Sequence, residues 1–221
     1  NYVAGARVAS YKKYGYVSDA NESRIVVLKA IVPNQVTCVS AGGGNSSPVD
    51  IKNLASWYYN QGPDVSRGGG AWGNSEGTAG QCGGWPNGKI YRNSGCAITS
   101  SAMVARYYGK NINPFQMGAE FCTRAHDLSF NANVLGKIIG KTPVHKSNPS
   151  LDEIKEFVKH GPVIAQGKPA FESSSGHFVV IAGDDGSNFI LNDPSNSTRG
   201  KAGRVAPYAT RGSISNIWYF K

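Results

Sequence analysis

Cys96 stands at the front of a segment with the pattern of a helix, NSGCAITSSAMVARYYGK, residues 93–110. Ser94 is a typical N-cap residue, apolar residues follow at helical spacing, and Gly109 is a typical helix end. A thiolate in the first turn of a helix is stabilised by the unpaired amide groups and by the helix dipole. This position favours Cys96 as a nucleophile, and a nucleophilic thiolate needs a base within hydrogen-bond reach.

A predicted β-hairpin, GHFVVIAGDDGSNFILNDP, residues 176–194, can supply that base. Its turn at residues 183–188 is centred so that His177 and Asp193 fall nearly opposite each other on two antiparallel strands. Asn192 should point to the opposite face, because side chains alternate along a strand. The hairpin therefore predicts a histidine–carboxylate pair at the open end of a sheet, which is the pair that a thiol nucleophile uses.

The remaining cysteines and histidines fit this chemistry less well. Cys82 in GQCGGW is a competing nucleophile, but the glycines and the proline that follow it break any helix. One disulfide among Cys38, Cys82 and Cys122 is compatible with the sequence, which does not disclose the pairing. No cysteine has CxxC spacing or a histidine at zinc-ligand spacing, so we expect no metal and no cofactor. Three histidines lack a comparable strand and carboxylate: His126, His145 and His160.

The elements that must position these residues follow one another in a simple order. Helical patterns come first, at residues 94–108, from Pro114 onward, at 130–141 and at 150–162. In the last of these, Ser150 and Glu153 form a capping-box pair. Strand patterns follow at residues 162–167, 177–182, 188–193 and 214–220. Helices followed by antiparallel strands predict an α+β fold.

The first part of the chain differs in character from the rest. Its β-prone runs, residues 24–32 and 36–39, show no helical periodicity. The segment AGGGNSSP, residues 41–48, is typical of a linker. We therefore predict an N-terminal β-rich extension or small module at residues 1–45 and a main domain at residues 46–221.

The charge of the chain bears on its partners. The formal net charge is +9, from 23 Lys and Arg against 14 Asp and Glu, which favours anionic partners such as cell-wall polymers. No arginine-rich run or basic helix occurs, so we expect no nucleic acid. No apolar run approaches the ~18 residues of a membrane span. The abundance of Gly, Ser, Asn and Tyr favours a secreted or cell-surface location.

Six segments between about residues 57 and 194 resemble the bacteriocin-processing-peptidase-like branch of the papain-like cysteine peptidases. They are YYNQ, WGN, SGCAITSSAMVARYYGK, GPVIA, GHFVVIAG and FILNDP. The resemblance implies a papain-like α+β fold, in which an N-terminal helical part carrying the nucleophile helix packs on a C-terminal antiparallel β-sheet. It also implies that Cys96 is the nucleophile, that His177 is the general base and acid, and that Asp193 orients His177.

In this family a glutamine upstream of the cysteine donates to the oxyanion, and Gln61 in YYNQ matches that motif. The stretch between Gln61 and Cys96 is longer than the family pattern, so Gln81 competes for the role. The resemblance implies a cysteine hydrolase that cleaves amide bonds through a thioester, with a protein, a peptide or the peptide part of bacterial cell wall as substrate. Two alternatives are a non-catalytic binding or assembly module on the same fold and an acyl transferase, similar to transglutaminases, with the same triad.

Overall fold

The computed structural model describes residues 6–11, 14–19, 24–28, 51–75, 82, 90–126, 128–167 and 176–221. The chain divides into two compact units, Asn1–Gly42 and Gly43–Lys221. The predicted boundary between residues 45 and 46 lies outside the described residues and stays a prediction, and so does the β-prone run at residues 36–39.

The first unit contains a three-stranded antiparallel sheet in the order β1-β2-β3. Its strands are β1 (Ala6–Tyr11), β2 (Tyr14–Asp19) and β3 (Arg24–Leu28). The third strand falls within the β-prone run predicted at residues 24–32.

The second unit begins with short 3-10 helices and continues with five α-helices. The 3-10 helices of its first part are Ile51–Trp57, Val65–Arg67 and Ala71–Asn74. The α-helices are α1 (Tyr91–Ser94), α2 (Cys96–Tyr107), α3 (Pro114–Ala125), α4 (Ala132–Ile139) and α5 (Leu151–Val158). None of the helices in the described ranges is long and apolar enough to cross a membrane.

Local hydrogen bonds explain where several of these helices begin. The Ser150 side chain accepts from the Glu153 amide, and the Glu153 side chain accepts from the Ser150 amide, which is the capping box predicted for α5. Asn113 and Gln116 form a second capping box at the start of α3. Such reciprocal bonds satisfy amide groups that have no partner inside the helix.

Helix α2 begins differently from the prediction. Ser94 is not its N-cap, because residues 91–94 already form the short helix α1, and Gly95 alone separates α1 from α2. The Gly95 amide donates to the Tyr91 carbonyl, and the Gly95 carbonyl accepts from the Thr99 amide. The predicted N-cap is therefore wrong, although Cys96 is the first residue of the long helix, as expected.

A six-stranded antiparallel sheet with the order β4-β9-β5-β6-β7-β8 completes the second unit. Its strands are β4 (Pro143–Ser147), β5 (Val163–Gly167), β6 (His177–Asp184), β7 (Asn188–Asn192), β8 (Arg204–Pro207) and β9 (Ile214–Phe220). A last 3-10 helix, Tyr208–Ser213, joins β8 to β9. Helices precede most of the sheet along the chain, which confirms the predicted α+β class.

The two faces of this sheet belong to different cores. On one face, Val180 and Ala182 of β6 join Ile98 and Met103 of α2 in a buried cluster. On the other face, Val179 and Ile181 join a cluster under helix α5. Because side chains alternate along β6, one strand links both cores. This packing fixes the start of β6 relative to the start of α2, where the predicted site residues lie.

Candidate active site

Cys96 is a free, half-buried thiol at the first position of α2. In an uninterrupted helix, the Arg92 carbonyl would accept a hydrogen bond from the amide of Cys96, four residues further along the chain. In this structure the Arg92 carbonyl accepts from Gln61 Nε2 at 2.7 Å. The break at Gly95 therefore sets the nucleophile candidate on a new helix start, with the glutamine side chain bound just before it.

His177 and Asp193 are in direct contact, as the hairpin predicts. His177 opens β6, Asp193 follows the last residue of β7, and Nε2 of the ring lies 2.8 Å from Oδ1 of the carboxylate. His177 is 7% exposed and Asp193 is fully buried. A carboxylate that holds one ring nitrogen fixes both the orientation and the tautomer of a histidine.

The strand register behind this contact differs from the prediction. The pair nearest the open end of the β6–β7 ladder is Val180 with Asn192, and continuing that register would place Asp193 opposite Val179 rather than His177. The ladder shifts between Ile181 and Gly183, which is a β-bulge that the turn sequence does not reveal. The contact therefore runs diagonally between the strand ends through the two side chains. The neighbouring residue, Asn192, accepts from the Gly203 amide through its side-chain oxygen.

Cys96 is the second group that acts on the His177 ring, because its side chain and its charge both favour the imidazolium. Asp193 occupies Nε2, so Nδ1 is the ring nitrogen that remains for the sulfur. Burial disfavours the imidazolium, but the hydrogen bond that His177 donates to Asp193, the interaction with the Cys96 side chain and the charges of both groups outweigh burial and raise the pKa of His177 to about 9. The structure thus brings three of the four predicted residues into one line of contacts.

Asp193 has further partners on its other side. Its Oδ1 also accepts from the Ser195 amide at 3.0 Å, and Arg204 Nε lies 3.1 Å from Oδ2. This second contact is an ion pair whose N–H is not well directed at the oxygen. Burial alone would raise the pKa of Asp193, but His177, the Ser195 amide and the Arg204 charge together hold it below its ordinary value.

Gln61 lies between the nucleophile helix and the Asp193 loop. Its side chain donates to the carbonyl of Arg92, four residues before Cys96, and its backbone amide donates to the Pro194 carbonyl at 2.7 Å. The residue is 6% exposed. An amide NH₂ group has two hydrogens, so the bond to Arg92 leaves a second one for another acceptor. The competing residue, Gln81, lies outside the described residues.

The sequence reasoning missed a buried connection formed by Tyr58 and Asn60. Asn60 Nδ2 donates to the Ser195 carbonyl and to the Tyr58 hydroxyl, and Asn60 Oδ1 accepts from the Gly62 amide. The Tyr58 hydroxyl donates to the Asp193 carbonyl at 2.8 Å. Both residues belong to the YYNQ motif, which was the one available signal. Their partners lie about 135 residues away along the chain, so no local pattern could identify them.

The other candidate cysteines and histidines lie apart from this line of contacts. Cys82 forms a disulfide with Cys122 in α3 and is therefore not a nucleophile, while Cys38 lies outside the described residues. The remaining histidines follow α3, sit in β4 and follow α5: His126, His145 and His160. Within the part of the chain that the structure describes, no group of three or more His, Cys, Asp or Glu side chains could hold a metal ion.

Two solved structures are similar to part of this chain. A double-glycine-motif protease from an AMS/PCAT transporter, crystallised with the leader peptide, is 26% identical, with a TM-score of 0.41 over 57% of this chain and 83% of that one. A C39-like peptidase from Bacillus anthracis, described as putative, is 18% identical, with a TM-score of 0.38 over 57% of this chain and 88% of that one. None of the curated proteins matches the chain.

The family model of the Peptidase C39-like family matches residues 81–219. This range is more than half of the chain, and it contains Cys96, His177 and Asp193, whereas Gln61 precedes it. Helices α1 to α5 and the six-stranded sheet lie inside it, except for Phe220 at the end of β9. The suspected relationship is thereby confirmed: with its papain-like α+β fold, the chain belongs to the Peptidase C39-like family of cysteine peptidases.

Proposed function

We propose that the protein is an active cysteine peptidase that cleaves amide bonds with Cys96, His177 and Asp193. The observation that carries the proposal is that one histidine is hydrogen-bonded to a buried carboxylate and interacts with a free thiol at a helix start. This arrangement supplies a nucleophile, a group that moves protons and a group that orients it. Titratable pairs with perturbed pKa values cluster at functional sites, which supports a catalytic role for this one.

The reaction begins with a thiolate at Cys96 and an imidazolium at His177. A pKa of about 9 keeps His177 protonated at neutral pH, and the helix start stabilises the neighbouring thiolate. The thiolate attacks the carbonyl carbon and forms a C–S bond. His177 then gives its proton to the leaving amine as the C–N bond breaks, which leaves a thioester.

Deacylation reverses the roles. His177 takes a proton from water while the oxygen attacks the thioester, and the thiolate leaves as the C–S bond breaks. Asp193 holds the ring in one orientation throughout and stabilises its charged form. Net consumption is one water for each bond cleaved.

The oxyanion of both steps is stabilised by the Cys96 backbone amide and by Gln61 Nε2. Supporting this assignment, the Gln61 side chain is buried and fixed on the carbonyl of Arg92, four residues before Cys96. A donor that is held in place before the reaction costs no reorganisation when the charge develops. Such a donor commonly contributes 10²–10³-fold, or about 3–4 kcal/mol, to kcat.

The test uses wild-type protein and the Cys96→Ala variant with a casein digest followed by mass spectrometry of new termini. We expect cleavage by the wild type and none by Cys96→Ala, with the same circular dichroism spectrum for both. Full activity of Cys96→Ala would sink the proposal. Alkylation of Cys96 by iodoacetamide separates the binding-module alternative, since a thiolate reacts fast near neutral pH and a thiol does not.

The same reaction separates the acyl-transferase alternative. An acyl transferase passes the thioester to an amine, so a biotinylated amine added to the digest would appear on the products. We expect free carboxyl termini instead, because water is the nucleophile in the proposed deacylation. Predominant amine incorporation would favour the transferase.

For the substrate we propose a protein, a peptide or the peptide part of bacterial cell wall, reached at a secreted or cell-surface location. The net charge of +9 supports an anionic wall, and the Cys82–Cys122 disulfide supports an oxidising compartment. Purified cell wall and denatured protein, incubated in parallel with Cys96→Ala as the control, separate the two substrate classes. New termini in neither material would contradict the proposal.

A further inference from the structure

Arg204 contacts the candidate catalytic carboxylate from the side opposite His177. It is the first residue of β8 and pairs with Leu191 of β7, two residues before Asp193. Its Nε lies 3.1 Å from Asp193 Oδ2, while His177 holds Oδ1. The Arg204 side chain is 13% exposed and the Asp193 side chain is fully buried, so solvent screens this pair weakly.

Every element packed around Asp193 contributes a named group. Strand β6 contributes His177, β8 contributes Arg204, and the loop after β7 contributes the Ser195 amide. The YYNQ segment contributes the Tyr58 hydroxyl, which donates to the backbone carbonyl and not to the carboxylate. The ionisable groups that raise the pKa of His177 are Asp193 and Cys96. One carboxylate is therefore shared by a fixed cation and a titratable one.

These contacts give Arg204 a specific effect on the proposed peptidase. An arginine stays charged at all relevant pH values, so it always neutralises part of the Asp193 charge. Like charges repel, so a fixed cation on the far side of the carboxylate disfavours the imidazolium of His177. We propose that Arg204 is a positioning residue that acts through Asp193 and limits how strongly the carboxylate stabilises protonated His177. This inference rests on the proposed function.

The first test measures the His177 ring by NMR titration in the inactive Cys96→Ala protein. Replacing Arg204→Met removes the charge and keeps an unbranched side chain of similar length. The path from Arg204 through the carboxylate to His177 is short, and at an effective dielectric constant near 20 one charge at ~8 Å corresponds to a shift of about 1.5 pH units. We expect the titration midpoint of His177 to rise by about that amount.

Two variants serve as controls. Arg124→Met makes the same substitution on α3, where the side chain is 49% exposed and paired with Glu120, and should leave the midpoint unchanged. Arg204→Lys keeps the charge and should bring the midpoint back toward that of the parent protein. An unchanged or lower midpoint in Arg204→Met would overturn the proposal, because it would mean that the arginine does not oppose the imidazolium.

A second measurement does not depend on the His177 signal. Thermal unfolding is compared for Arg204→Met alone, for Asp193→Asn alone and for the double variant. If the two side chains are coupled, Arg204→Met lowers the midpoint temperature less in the Asp193→Asn background, where the cation has lost its counter-charge. Equal losses in both backgrounds would overturn the proposal. Neither measurement uses turnover, so a protein that cleaves nothing would refute the proposed function and leave this inference standing.

Discussion

Replacing Asn60→Ala tests whether the YYNQ segment holds the two halves of the site together. The side chain is 1% exposed and makes three hydrogen bonds, two donated to Ser195 and Tyr58 and one accepted from Gly62. Alanine makes none of them. The Gly62 amide and the Ser195 carbonyl would then remain in the interior without this partner.

The expected loss of stability follows from those bonds. Each buried backbone group left without a partner costs about 1–3 kcal/mol, so the two together destabilise the protein by about 2–6 kcal/mol. A domain of this kind is stable by about 5–15 kcal/mol, so the variant should still fold. The loss of unfolding free energy is measured by urea unfolding, with tryptophan fluorescence as the signal. Trp72 is a suitable reporter because its Nε1 donates to the Asn60 carbonyl.

The same substitution should reduce turnover more than its stability loss explains. Gln61 is the next residue, and Ser195, which loses its side-chain partner, lies two residues after Asp193. A shift of about 1 Å in either position can cost ~10²-fold in rate. We therefore expect kcat to fall by about 10–100-fold at a temperature where the variant is fully folded.

Asn188→Ala is the matched control. This asparagine opens β7 beside the hairpin turn, where its side chain donates to Asp185, and its loss should cost no more than about 0.5 kcal/mol. If Asn60→Ala were as stable and as active as Asn188→Ala, the reasoning that this segment positions the site would be refuted.

Three other predictions concern the pH profile, the disulfide and the oxyanion. Asp193→Asn removes the largest contribution that raises the pKa of His177, so the alkaline limb of activity should move from near pH 9 toward 6.5; an unmoved limb would contradict the assignment. By the same linkage, the raised pKa of His177 contributes stability that is fully present just below pH 6.5 and is lost as pH rises toward 9, whereas the contribution from the lowered pKa of Asp193 is lost in acid. Replacing Cys82 and Cys122 by serine opens a cross-link over 40 residues and should lower the free energy of unfolding by about 4 kcal/mol in urea titrations, whereas a loss below about 1 kcal/mol would speak against the pairing. Gln61→Ala should lower kcat by about 10²–10³-fold with little change in KM. A variant with raised KM and unchanged kcat would exclude an oxyanion role.

Local patterns were sufficient for several features of the site. The α5 capping box was readable because its two bonds join residues three apart. The hairpin that carries His177 and Asp193 was readable because two apolar runs flank a turn of Gly, Asp and Ser. The helix after Cys96 was readable from its apolar spacing. These are short-range signals, and they supplied the nucleophile, the base and the orienting acid together.

Tertiary structure decided what short-range signals do not contain. The bulge in β6 set the register of the hairpin, and α1 displaced the predicted N-cap Ser94, because neighbouring strands and helices impose both. The pairing of Cys82 with Cys122 depends on how α3 folds back on the chain. Arg204 comes to Asp193 only through the β7–β8 pairing.

By itself the sequence predicted which residues would carry the proposed chemistry, because each occupies a local position with a defined property: a helix start for the thiol, and a strand start and a strand end for the histidine and the aspartate. Only the tertiary structure decided what surrounds them. Gln61 meets a carbonyl 31 residues away, and the Asp193 carbonyl meets a hydroxyl 135 residues away. Contacts over such separations arise from packing of the whole unit and leave no periodic trace in the chain.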